Sequence, residues 1–180
     1  MKVHDVVPFS LEKNLGRAYN EAMNLIPDGD FACLRDGDTM FLTPDYGEIL
    51  HHYAMSEPLH CGVMTCFTNR LSELSRLQLR NGLVDEESNM KVHIAHAEHQ
   101  KKKLYQSTII QRDISGFLML VSKDVWKRIP FAEDGQCIGV DTYWSRRIRE
   151  AGLYIYRMDG LYVWHTYRLK NGILDKSHLL

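Results

Sequence analysis

Several features that would announce a specialised class are scarce or missing in this chain. Its four cysteines, Cys33, Cys61, Cys66 and Cys137, never fall into a Cys-x-x-Cys spacing, so neither a disulfide framework nor a thiolate zinc site is indicated, and reduced, buried thiols are expected. The longest apolar run, Phe117 to Val121, is five residues, far below the roughly 20 that cross a bilayer. The start, Met1-Lys2-Val3-His4-Asp5, carries no apolar stretch of the secretory kind. A soluble, cytoplasmic protein without a transmembrane segment is therefore expected. Excess charge of either sign is also missing: 22 Lys and Arg stand against 23 Asp and Glu, for a net charge of −1. That balance provides no electrostatic footprint for nucleic acid or an anionic membrane. No Gly-rich phosphate loop, Gly-x-Ser-x-Gly elbow, internal repeat or low-complexity tract is found.

What remains is an ordinary globular composition. At 180 residues, 44% hydrophobic and 25% charged, the chain is long enough to bury a core as one domain spanning residues 1–180. Residues 2–7 read as a first strand stopped by Pro8. Ser10 offers an N-cap to a helix whose Leu11, Leu15, Ala18, Tyr19, Ala22, Leu25 and Ile26 form a core-facing stripe. A strand over 31–35 follows, completing a βαβ unit whose sheet should carry ligands at its C-terminal edge.

Farther along, a helix is expected over 45–54, a buried strand over 59–67 and a helix over 68–80 with Leu71, Leu74 and Leu77 in register. A polar surface helix within 85–106 is marked by Met90, Ile94 and Ala97. An apolar strand runs from Ile114 to Val121, opened by Ser115-Gly116, and Ser122 caps a short helix through Trp126. The 130–139 loop holds Pro130, Gly135 and Gly139. A helix over 140–151, strands near 153–158 and 161–165 and a polar tail complete the chain.

Three places carry candidate chemistry. Phe31-Ala-Cys-Leu-Arg35 ends in Asp36-Gly37-Asp38. In an extended chain residues two apart share a side, so both carboxylates can aim at one point while Gly37 admits a ligand. Two such oxygens suit Mg²⁺ or Mn²⁺ and, through it, a diphosphate; a plain Asp-Gly turn is the alternative. Asp141 opens a helix after Gly139, as a dipole-stabilised acid or as a general base. His165 ends the last strand, as a packed residue or as the nitrogen of a mixed O/N metal site. His93, His96 and His99 follow a three-residue spacing, leaving a zinc-dependent hydrolase as a minor reading. Lys101-Lys102-Lys103 reads as a solvated run.

Taken in order, Asn14-Leu-Gly16-Arg17-Ala-Tyr-Asn20, Asp36-Gly37-Asp38, Ser115-Gly116, Gly139-Val140-Asp141 with Glu150-Ala-Gly152, and Trp164-His165 resemble a family 2 type glycosyltransferase of the GT-A fold. The resemblance implies a single-domain α/β protein with a mixed, mostly parallel sheet flanked by helices, a short member lacking the usual N-terminal nucleotide-base-binding segment. It implies that Asp36 and Asp38 form a DxD motif, with His165 as third ligand to Mn²⁺ or Mg²⁺, and that Asp141 is the catalytic base. The usual acidic pair appears here as Val140-Asp141. Asn14, Arg17, Arg35, Gly37, Ser115 and Gly116 would face the nucleotide-sugar donor, a UDP-sugar being favoured. Trp144 or Trp164 would stack on a glycan or other hydroxyl-bearing acceptor. The implied activity is inverting sugar transfer; a non-catalytic nucleotide- or carbohydrate-binding module on the same fold is the alternative. A homo-oligomer is left open.

Overall fold

A computed structural model describes residues 1–71, 73–85, 87–134 and 139–166, together with the two-residue strands Leu169–Lys170 and Ile173–Leu174, which pair antiparallel. Gly135 and Cys137 of the expected loop, the side chain of Leu74 and most of the expected tail lie outside the described residues. The framework is a seven-stranded sheet with helices on its two faces.

Strand β1 (Val3–Val6), helix α1 (Leu15–Asn24) and strand β2 (Phe31–Arg35) form the expected βαβ unit, β1 and β2 lying parallel. Helix α1 starts later than expected. Lys13 has φ 58°, a left-handed conformation that no helix continues through. Asn14 is the cap, its side chain accepting from Arg17 N at 3.0 Å, while Ser10 Oγ accepts from Asn14 N. Leu11, expected in the core stripe, therefore precedes the helix and stands 87% exposed, and Leu25, the C-cap at the far end, stands 84% exposed.

After β2 come β3 (Thr39–Phe41), α2 (Tyr46–Met55) and β4 (Cys61–Thr68). The 68–80 stretch holds a 3-10 turn at Glu73–Gln78 in place of the expected α-helix. Then follow α3 (Met90–Lys101), β5 (Ser107–Ile110), β6 (Leu118–Ser122), α4 (Lys123–Arg128), α5 (Val140–Glu150) and β7 (Tyr154–His165). The two strands expected near 153–158 and 161–165 are one strand. A shift in its pairing with β4, between Cys66 and Phe67, absorbs the irregularity.

The sheet order is β1-β2-β6-β4-β7-β3, with β5 sharing the β3 edge of β7. The expectation of a mostly parallel sheet is corrected here: of six strand pairings only β1·β2 and β4·β7 are parallel. The reason is β6, which runs opposite to both neighbours and separates the two parallel pairs. Alternation along the strands splits the core in two. Ala32, Leu34, Met119 and Val121 join Tyr19, Trp126, Trp144 and Ile148 on one face. Phe31, Cys33, Leu118 and Leu120 join Ile49, Leu50 and Tyr53 on the other.

One consequence of these directions positions the site. Strands β1, β2, β4 and β7 all point the same way, so their C-terminal ends and the start of β6 share one edge of the sheet.

Candidate metal centre and its surroundings

At that edge, β2 gives way to a tight turn at Asp36–Asp38 before β3 begins. The turn is tied down on every side. Asp36 N donates to Phe117 O at 2.9 Å, Asp36 O accepts from Thr39 N and Thr39 Oγ1, and Asp38 O accepts from Thr166 N and Thr166 Oγ1. Those anchors belong to the start of β6, to β3 and to the end of β7. The two carboxylates converge as expected, but through this pinned turn, since the extended conformation stops at Arg35.

His165 completes the group. One donor atom each from Asp36, Asp38 and His165 lie within 4.8 Å of one another. His165 Nε2 stands 3.2 Å from Asp38 Oδ1 and 3.8 Å from Asp36 Oδ2. The imidazole is buried, stacked on Phe117 with centroids 5.4 Å apart, and its backbone N–H donates to Asn69 Oδ1 at 2.7 Å. Its Nδ1 lies 3.1 Å from Arg70 O. A carbonyl oxygen only accepts, so this bond puts a ring proton on Nδ1 and leaves Nε2 facing the carboxylates, as a donor when the ring is protonated and as a metal ligand when it is neutral. Together the three groups could hold a metal ion, two carboxylate oxygens and one imidazole nitrogen forming a mixed O/N donor set.

The charges respond to this crowding. Burial pushes the Asp36 carboxyl up to about 6, with Asp38 and Asp141 adding to the rise and His165 opposing it. Burial acts the same way on Asp38, but the hydrogen bond and charge of His165 outweigh it and leave this carboxyl below its usual range.

Asp141, in the first turn of α5, reaches the same edge. Its Oδ2 accepts from Gly116 N at 2.7 Å and its Oδ1 from Thr142 N at 2.8 Å. Burial raises its affinity for a proton, while these backbone N–H groups hold the rise back. Gly116 eases the approach, because a Cβ there would sit 3.0 Å from Asp141 Cβ and press the carboxylate aside. Gln78 fixes the segment: its Oε1 accepts from Ser115 N, and its Nε2 donates to Ser115 O and Thr65 Oγ1. Nothing in the sequence pattern singles out Gln78 or Asn69, since each acts through a backbone group distant in the chain.

Other expected site residues are engaged differently. Asn14 caps α1, and Arg17 pairs with Glu21 and Glu12. Arg35 pairs with Asp5 and lies over the Phe41 ring. None of these partners belongs to the carboxylate cluster. Trp144 is corrected: it is fully buried, donates from Nε1 to Ile129 O at 2.7 Å and stacks on Phe131, so it has no face for an acceptor. Trp164 is half-buried and, one residue from His165 on a strand, points to the opposite side, edge-on to His93. The zinc reading of the histidine cluster is corrected as well. His93 uses both ring nitrogens, toward Tyr162 Oη and Glu87 O, and His96 faces Arg80 and Asp85. Among the described residues, Asp36, Asp38 and His165 are the one group with ligand geometry.

The chain matches no protein-family model, no curated protein and no solved structure. Among the described residues, no helix is long and apolar enough to cross a membrane.

Proposed function

We propose that the chain is a metal-dependent glycosyltransferase that moves a sugar from a nucleotide-diphosphate donor, a UDP-sugar being favoured, to a hydroxyl of a glycan or other acceptor with inversion. The observation that carries the reading is the meeting of an Asp-Asp-His group and a separate, proton-avid carboxylate, Asp141, at one edge of an α/β sheet. Asp36, Asp38 and His165 would hold Mn²⁺ or Mg²⁺, which when bound there neutralises charge on a leaving diphosphate. Asp141 keeps unused lone pairs beyond its two backbone hydrogen bonds. It accepts the proton as the acceptor oxygen bonds to the anomeric carbon and the bond from that carbon to the diphosphate oxygen breaks. A carboxyl with raised proton affinity suits that task. The backbone of Ser115 and Gly116, clamped by Gln78, holds Asp141 in place during the exchange.

Two variants test the assignment. Asp36→Ala is expected to abolish Mn²⁺-dependent heat in calorimetric titration with UDP-sugars. Asp141→Asn is expected to retain that heat and lose transfer by at least about a hundredfold, the usual contribution of a positioned base. Wild-type levels of binding and transfer in both variants would overturn the reading.

A further inference from the structure

Strand β1 ends the sheet order, with β2 as its neighbour. Phe31 N donates to Lys2 O at 2.9 Å, which starts a parallel ladder in which His4 and Val6 turn their backbone groups toward β2. Val3 and Asp5 therefore turn theirs outward, and among the described residues those groups have no backbone partner. Such an edge is ordinarily guarded by a lysine, a proline or a bulge. Val3–Val6 contains neither residue, and its register with β2 runs without a shift.

Under this edge, on the side of α2, lies a cleft of about 370 Å³. Val3, Leu50 and the Tyr46 ring give it apolar walls, and its charged side chains, Asp5, Asp45 and Glu48, are all acidic. The walls are fixed by contacts of their own. Arg35 Nε donates to Asp5 Oδ1 at 2.8 Å, Arg35 lies over the Phe41 ring, and Phe41 stacks on Tyr46 with centroids 4.0 Å apart. Asp5 and Asp45 are thus balanced by Arg35 and Lys101, whereas the exposed Glu48 forms no ion pair among the described residues. An acid in the first turn of a helix is explained by the dipole alone. Asp5 belongs to the strand, however, and what it shares with Glu48 is the cleft.

We propose that the β1 edge and this cleft form a docking groove for an extended segment of another protein that carries lysine or arginine. The segment adds as a strand beside β1, bonding the outward N–H and C=O groups of Val3 and Asp5, and its alternate side chains enter the cleft. Lysine and arginine fit because their aliphatic stems suit Val3, Leu50 and Tyr46 while the cation reaches Glu48 at the rim. An acidic segment, a nucleic acid or an anionic membrane would meet like charge there. The groove uses neither the metal centre nor Asp141, so the proposal stands or falls apart from sugar transfer.

The probes, used with the full chain, are a short fluorescein-labelled peptide of alternating lysine and valine, the same peptide with glutamate for lysine, and spermidine. Fluorescence anisotropy is expected to show the lysine peptide binding at least about tenfold more tightly than the glutamate one, as like charge at an interface requires. Glu48→Gln should weaken the lysine peptide about two- to fivefold, the scale of a partly exposed ion pair. Amide exchange at Val3 and Asp5 of the wild type, followed by NMR, should slow when that peptide is bound. A lysine peptide that does not bind overturns the proposal, as do equal binding of the glutamate peptide, unchanged binding by Glu48→Gln and unchanged exchange at the two amides. Full displacement by spermidine at matched charge also overturns it, since the cleft would then hold a free cation only. Slow exchange at those amides without peptide, rising with protein concentration, would assign the edge to a second copy of this chain and overturn it too.

Discussion

Asp36 illustrates how a carboxylate crowded by others strains the fold that holds it. Its folded carboxyl titrates at about 6, above the roughly 3.9 of a free aspartate. Between those values the folded chain holds a proton that the unfolded chain has released, so stability falls as pH rises from about 4 to 6. Above that window the ionised carboxylate faces Asp38 and Asp141 with only His165 opposing. Asp36→Asn is therefore expected to melt higher than the wild type at pH 7.5 without divalent metal. Since Asp36 is 43% exposed on its side chain and solvent screens part of the repulsion, the gain is set at about 2–4 °C, the shift that about 1 kcal/mol gives a chain of this size. Below about pH 4, where the unfolded carboxyl is protonated as well, the two proteins should converge. Thermal melts across that range check the sign, and a lower-melting variant at pH 7.5 would show that Asp36 stabilises the apo fold.

At the scale of elements, Gly16 separates packing from propensity. Replacing a glycine whose backbone suits alanine ordinarily stabilises by about 0.4–1 kcal/mol, and Gly16 lies in the first turn of α1. In α1, however, a Cβ on Gly16 would lie 1.8 Å from Ala132 O, a backbone atom that cannot swing aside. Gly16→Ala is expected to destabilise by about 2–3 kcal/mol, as overpacking does, with a fall in urea midpoint as the readout. Asn20, one turn further, explains why that segment cannot retreat: its side chain bonds Phe131 N, Phe131 O and Trp126 Nε1 at once. The sequence made some elements readable and hid others for the same physical reason. β2 was legible to the residue because a buried apolar run ends abruptly in charge, and α5 because its stripe is bounded by Gly139 and Gly152. β3 and β5, three and four residues long, carry no periodicity of their own and exist because β7 offers them an edge. The antiparallel placement of β6 is likewise a property of the assembled sheet. Within the site, Asp36, Asp38, Asp141 and His165 were legible as chemistry-bearing types at strand and helix ends. Gln78 and Asn69 were not, since their meaning lies in partners brought near only by folding.

Across the whole molecule, the candidate metal centre joins parts that the sheet keeps apart. Asp36 and Asp38 follow β2, His165 ends β7, and β6 and β4 stand between those strands. The loop between the ligands runs through most of the chain, so the unfolded state cannot present them together and a metal must bind the folded state almost alone. Bound metal then stabilises by mass action, about 2.7 kcal/mol at a free concentration of 100 Kd, which is about 6–10 °C in a chain of this size. The melting temperature is expected to climb steadily with the logarithm of Mn²⁺ concentration, and less with Mg²⁺, which gains little from the imidazole. His165→Ala should remove most of the preference for Mn²⁺ while Asp36→Asn removes the response to both. Asn69→Ala tests the support behind the ligand: it takes away the oxygen that accepts from the His165 backbone N–H, a step further from the metal than the ring partner whose loss ordinarily weakens metal binding about 10–100-fold. Its titration curve should therefore shift to higher Mn²⁺ by less than that factor and end at the same slope. A curve superposable on the wild type's would mean that Arg70 O and the Phe117 stack orient the imidazole without Asn69.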